Sequence, residues 1–262
     1  SSFYTKLLYC TEGTVQAIIS GNPMLEDYYG VILDEIHVRK MEQDLLLSTL
    51  CAIAKKRPEF KVLVMSATID TKPFEIYFQN QQLVYGIYRI EGVKSNFTID
   101  HIFHPKYIEE NKIQETNSIL TQYIDNLLQK TPKAHILVFV STGSAGKKLI
   151  KYFNDKINKS PEKYKYKPWC VMLEGKTDET LAEYITGGKD YIEKFKGKYQ
   201  RKLIFATNAV EFSVTFSPEK DKTSLDYVID TGIAWVNRYN PNKYLYEMGN
   251  EFVAQANIGQ RC

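Results

Sequence analysis

GVILDEIHVRK, residues 30–40, sets the reading of the whole chain. The apolar residues 31–33 read as a short buried strand, and they run directly into two adjacent carboxylates, Asp34 and Glu35, with His37 two positions further on. In a parallel α/β sheet, ligands bind beyond the carboxyl ends of the strands. A carboxylate at such an end can hold Mg²⁺, largely through water, while the metal bridges nucleotide phosphates. A second carboxylate can orient or deprotonate an attacking water. Phosphoryl transfer needs that division of labour, a metal clamp plus a positioned nucleophile. On its own, an Asp-Glu pair reads first as an ordinary acidic strand end.

Working outward, the pattern repeats. Residues 41–56 predict a helix with Leu46, Leu47, Leu50 and Ile53 on one face and KKRP as its stop. KVLVM, 61–65, is the next buried strand, and it runs into Ser66, Ala67 and Thr68. DTKPFEIYF, 70–78, reads as a short helix. The stretch 79–98 is less regular, and YRIEGVKSN has the composition of a connector, which places a domain boundary near Gly92. The alternation then restarts. Leu120, Tyr123, Ile124, Leu127 and Leu128 line a helix face, HILVFV (135–140) is a strand, and 144–158 is helical. WCVML (169–173), KLIFAT (202–207) and LDYVID (225–230) are further strands. Strands alternating with helices predict an α/β fold in two consecutive domains, 1–92 and 93–262.

The bulk numbers fit that reading. Of 262 residues, 44% are hydrophobic and 25% charged, as in a soluble globular protein. A net charge of +3 permits a nucleic-acid partner without arguing for one. Cys10, Cys51, Cys170 and Cys262 are widely spaced, with no CxxC pair, so they read as free thiols of a reducing compartment. No apolar run approaches the ~20 residues of a membrane span. The N-terminus lacks the basic and apolar regions of a signal peptide. An intracellular, soluble protein is expected.

Seven segments, taken in order, resemble the motifs of DEAH-box helicases of superfamily 2. LLYCTEGTVQAII is similar to the Thr-x-Gly turn that meets the RNA backbone. VILDEIHVRKMEQDLLL resembles motif II, and RPEFKVLVMSATIDTKPFEIYF resembles motif III. HILVFVSTGSAGKKL looks like motif IV, RKLIFATNAVEFSVTF like motif V, YVIDTGIAWVNRYNP like the strand and hairpin beyond it, and QANIGQR like the opening of motif VI. The resemblance implies two tandem RecA-like domains, each a mainly parallel sheet flanked by helices, with the first incomplete. It implies ATP or another NTP and Mg²⁺ as cofactors, and RNA as partner through backbone contacts of little sequence specificity.

Residue by residue, the resemblance implies that Asp34 holds Mg²⁺, that Glu35 activates water and that His37 links the nucleotide site to motif III. Ser66 and Thr68 would relay nucleotide state. Thr11, Gly13, Ser141, Thr142, Gly143, Thr207 and Asn208 would touch RNA. Backbone N–H groups at the helix start after Ser141, and again after Thr207, would suit a phosphate. Ser213, Thr215 and Arg261 would lie near the nucleotide, and Gln260 would face the γ-phosphate and attacking water. The stretch 235–247 resembles the family's strand-separating hairpin, and it reads equally as a structural hairpin.

Departures are also legible. Motif V reads Val210-Glu211-Phe212-Ser213 where the family has Ala-Glu-Thr-Ser, and Ser217 stands where an Asp is common. SPEKDKTSLD suggests an extra loop at 217–224. The phosphate loop GxxxxGK[ST] and the later arginines of motif VI are missing from the sequence, so an internal fragment, inactive by itself, is expected. LEGKT, 173–177, reads as a decoy, because a phosphate loop needs Gly where Cys170 stands. Two other readings stay open: a non-catalytic RNA-binding module with the helicase fold, and a superfamily 2 DNA translocase.

Overall fold

The computed structural model describes residues 6–66, 70–90, 98–106, 108, 109, 111–131, 133–210, 216 and 225–253. The chain divides into two compact units, Ser1–Thr98 and Ile99–Cys262. The boundary expected at Gly92 falls within 91–97, outside the described residues.

Unit 1 contains α1 (Glu12–Gly21), β1 (Gly30–Leu33), α2 (Met41–Lys56), β2 (Lys61–Val64) and α3 (Lys72–Asn80). β1 and β2 pair in parallel, from Gly30 opposite Lys61 to Leu33 opposite Val64. A parallel pair needs a crossover, and α2 supplies it. Leu46, Leu47, Leu50 and Ile53 recur at helical spacing and are all buried. They pack with Leu25, Leu33, Ile36 and Phe60 as the core of the unit. Glu42 and Asp44 sit in the first turn of α2, and Lys55 and Lys56 in its last, complementing the helix dipole.

Gly30 fixes how closely the strands approach. A Cβ there would collide with the backbone carbonyl of Lys61. Because the obstacle is backbone, relief requires the strands to part. Gly30→Ala is therefore expected to destabilise the chain by about 1–3 kcal/mol, as overpacking does. Thermal unfolding followed by circular dichroism checks this, and an unchanged melting temperature would show that β1 and β2 separate freely.

Unit 2 contains α4 (Ile113–Lys130), β3 (His135–Phe139), α5 (Gly143–Lys159), β4 (Pro168–Leu173), α6 (Glu179–Thr186), α7 (Tyr191–Lys194), β5 (Arg201–Ala206), β6 (Leu225–Asp230), β7 (Ile233–Asn240) and β8 (Leu245–Phe252). Four strands form a parallel sheet in the order β4-β5-β3-β6. β3 and β5 are buried along their whole length, as expected of strands covered on both faces. Their side chains alternate between two cores. Ile136, Val138, Leu203 and Phe205 meet Leu120, Ile124 and Leu128 of α4 and Leu149, Phe153 and Ile157 of α5. Leu137, Phe139, Ile204 and Ala206 meet Trp169, Ile185 and Tyr191 on the other side.

Both units thus have the mixed α/β build, parallel strands with helices packed on them, that is consistent with RecA-like helicase domains. The helix read over 144–158 runs Gly143–Lys159, and the strand read over 202–207 runs Arg201–Ala206. The hairpin read over 235–247 is longer, because β7 and β8 stay paired from Asn240 opposite Leu245 back to Ile233 opposite Phe252. Cys51 and Cys170 are free thiols that burial pushes up to about 11 and about 12, so they are poor nucleophiles at neutral pH. Among the described residues, no helix is long and apolar enough to cross a membrane.

Candidate functional site

At the carboxyl end of β1 the chain leaves the sheet through Asp34 and Glu35 into a single 3₁₀ turn, Ile36–Val38. Glu35 takes left-handed backbone angles, with φ at 53°. A residue with a Cβ pays roughly 1–2 kcal/mol for that conformation. Its neighbours hold it there. Asp34 Oδ1 accepts the Glu35 N–H at 2.9 Å. The Ile36 N–H donates to the Met65 carbonyl at 3.2 Å, while the Met65 N–H donates to Leu33 at 2.8 Å. Ile36 is completely buried beneath the turn.

This geometry joins the ends of the two strands. His37, itself buried, places Nδ1 2.9 Å from Ser66 Oγ, just past β2, and 3.2 Å from Glu35 Oε2. A carboxylate can only accept, so Nδ1 carries the proton, an assignment made from its partners. A carboxylate, an imidazole and a hydroxyl therefore form one chain of contacts across β1 and β2. The Glu35 side chain keeps 44% of its surface exposed, so its carboxylate also faces solvent. Arg39, again left-handed, grips Asp44 with two parallel bonds of 2.9 and 2.8 Å and braces the start of α2.

Among the described residues, no cluster of three His, Cys, Asp or Glu side chains could hold a metal. A cation at Asp34 would take most of its oxygens from water and phosphate, which suits the small, strongly hydrated Mg²⁺. One contributor escaped sequence reading. Gln43 is buried on α2, and its Nε2 approaches the Asp34 carbonyl at 3.5 Å. Its signal was a carboxamide on the apolar stripe of α2, three positions before Leu46.

The expected RNA contacts of unit 2 gather differently. Ser141 and Thr142 follow β3, and Thr142 caps α5 by accepting the Ala145 N–H at 3.1 Å. Gly143 opens the helix close to Glu174, which pairs with Lys147 at 2.8 Å. Thr207 and Asn208, expected to repeat this arrangement, follow β5, and residues 211–215 beyond them lie outside the described residues. Asn208–Val210 is one turn of 3₁₀ helix, with no α-helix start among the described residues. In unit 1, Thr11 is the residue before α1 and Gly13 falls in its first turn. LEGKT closes into a turn in which the Glu174 N–H donates to Thr177 Oγ1 at 2.8 Å, so that hydroxyl serves the local chain. Thr68, Ser213, Thr215, Gln260 and Arg261 lie outside the described residues.

Comparison with known proteins adds to this geometry. No family model matches the chain. Over 98% of its length it is 29% identical to L540 of Acanthamoeba polyphaga mimivirus, provisionally named an ATP-dependent RNA helicase, and it covers 34% of that protein. It is 27% identical to the ATP-dependent RNA helicase HrpA of Borreliella burgdorferi, covering 98% of this chain and 28% of HrpA. The chain resembles DExH-box RNA helicases throughout. DExH4 of Arabidopsis thaliana, named a chloroplastic DExH-box ATP-dependent RNA helicase, is 26% identical across 98% of this chain and 21% of its own length. The chain thus spans between about a fifth and a third of these relatives. Asp34, Glu35, Ile36 and His37 spell DEIH, which fits the DExH pattern in the name of the Arabidopsis relative.

Proposed function

We propose that the chain is part of an ATP-dependent motor that couples NTP hydrolysis to movement along, or unwinding of, RNA. The observation that carries this reading is the contact chain Glu35–His37–Ser66, which ties the acidic end of β1 to the end of β2. In it, Asp34 would hold hydrated Mg²⁺, which when bound neutralises charge on the transferring phosphoryl group. Glu35, half in solvent, accepts the proton of the attacking water. His37 fixes that carboxylate through its Nδ1–H and passes its position to Ser66, and Thr68 continues the relay. Gln260, Thr215, Ser213 and Arg261, outside the described residues, keep the nucleotide-binding role that the resemblance implies.

RNA would run along Thr11 and Gly13 in one unit and along Ser141, Thr142, Gly143, Thr207 and Asn208 in the other. Hydroxyl and amide contacts of this kind position a strand without reading its bases. The relatives' names favour RNA over DNA. Competition in an ATPase assay on the full-length protein tests this: RNA is expected to stimulate hydrolysis, and excess single-stranded DNA to leave that stimulation intact. Equal stimulation by DNA would replace this reading with a DNA translocase, and no stimulation by either would remove the motor.

A further inference from the structure

The N-terminal halves of α4 and α5 leave between them a cavity of about 410 Å³, which the start of β7 and the end of β8 also line. That volume lies within the ~300–1,000 Å³ usual for small-ligand sites. Helical spacing builds its walls. Ser144, Lys148 and Tyr152 follow one another four residues apart and so share one face of α5. Asn117 faces the same space from α4. Trp235 and Asn250 are cross-strand partners, so the hairpin register delivers both together.

The chemistry of this lining suits a base better than a phosphate. Among its described residues there is a single cation, Lys148, and no carboxylate. Two aromatic side chains border it, and neither is used up in a core: Trp235 is 40% exposed and Tyr152 is 44% exposed. The Tyr152 ring is set in place by Phe153, edge-on at 5.2 Å. Aromatic faces of this kind stack on any base, while carboxamides such as Asn117 and Asn250 both donate and accept, as base edges require. Thr142 lines the same cavity, beside the stretch along which the RNA backbone is proposed to run.

We propose that this cavity receives one unstacked nucleobase of the single strand that passes residues 141–143. The inference rests on the RNA reading above and goes beyond it, since backbone contacts alone would leave the bases outside. The test compares binding of the full chain to a short oligouridylate and to a fully abasic strand of the same length, by fluorescence anisotropy. The base-bearing strand is expected to bind about tenfold more tightly, as stacking on one or two aromatic side chains implies. Trp235→Ala combined with Tyr152→Ala is expected to abolish that preference while leaving the affinity for the abasic strand unchanged. Equal binding of both strands by the wild-type chain would overturn the base pocket and leave the RNA reading standing. No binding of either strand would overturn both. Photo-crosslinking of 5-iodouridine RNA to the unmodified chain needs no variant. Adducts at Trp235 or Tyr152 are expected, and adducts confined elsewhere would overturn the proposal.

Discussion

Replacing Glu35 with glutamine is expected to lower NTP hydrolysis in the full-length protein by about 10²- to 10⁴-fold, the usual contribution of a positioned general base, while nucleotide affinity stays close to wild type. The substitution is nearly isosteric. It removes the negative charge and the proton-accepting oxygen but keeps an acceptor for the His37 Nδ1–H, now 3.2 Å away. It leaves Asp34, the proposed cation ligand, untouched. The left-handed backbone of Glu35 is set by the Asp34 Oδ1 and Met65 contacts around it, and none of them involves the replaced atoms. Hydrolysis and binding should therefore separate. Steady-state phosphate release and titration with a fluorescent nucleotide measure the two. An unchanged kcat would remove Glu35 as the base. A joint loss of affinity and rate would mean that its carboxylate shares in holding the cation.

Much of this site could be read from sequence because its determinants are local. The run into Leu33 announced a strand with the carboxylates at its end, but not its exposure: Leu33 is buried, whereas Ile32 is 53% exposed, and in β2, also read as buried, Leu63 is 51% exposed. β3 and the last four residues of β5 were legible as strands, and there the apolar run is buried on both faces. What was not legible depends on partners distant in the chain. Nothing in the spelling of Glu35 signals a positive φ, which a glycine would have advertised. The contact between His37 and Ser66 bridges 29 positions and exists only because β1 and β2 pair in one register. Thr207-Asn208 has the same types of side chain as a helix start, and the described residues there form a 3₁₀ turn, Asn208–Val210. The lining of the α4–α5 cavity is spread over four elements, α4, α5, β7 and β8, and its aromatic members look like ordinary surface residues until the hairpin register brings Trp235 alongside Asn250.

The least legible residues are two cations at the start of β5. Arg201 and Lys202 look like a solvated strand end, and both are buried. Each is directed at the end of a helix, on opposite faces of the sheet. Lys202 Nζ donates to the Ile185 carbonyl in the last turn of α6 at 3.0 Å and lies 4.7 Å from the centre of the Tyr191 ring. The Arg201 fork donates to the carbonyls of Leu128 and, at 3.3 Å, Thr131 at the end of α4, and its Nε donates to Tyr166 at 3.1 Å. The last carbonyls of a helix have no partner within it, and they carry the negative end of its dipole, so a guanidinium answers both needs. Burial pushes Arg201 down to about 10, and it stays protonated at neutral pH.

Arg201→Leu is accordingly expected to destabilise the protein by about 2–4 kcal/mol, the loss of bonds from a charged donor less the desolvation that the charge no longer suffers. An apolar replacement can be harmless where both members of a buried pair are removed. Here the partners are backbone carbonyls, which no substitution can take away. Arg201→Lys should cost less than leucine but remain destabilising, because an ammonium cannot reproduce the planar fork that serves several carbonyls at once. Urea unfolding followed by circular dichroism gives the order wild type, lysine, leucine in falling midpoint. A leucine variant with the wild-type midpoint would show that α4 ends on donors other than Arg201. Because α4 also supplies Asn117 to the cavity, a loosened α4 should weaken base-bearing RNA along with the fold, whereas Trp235→Ala should affect the RNA alone.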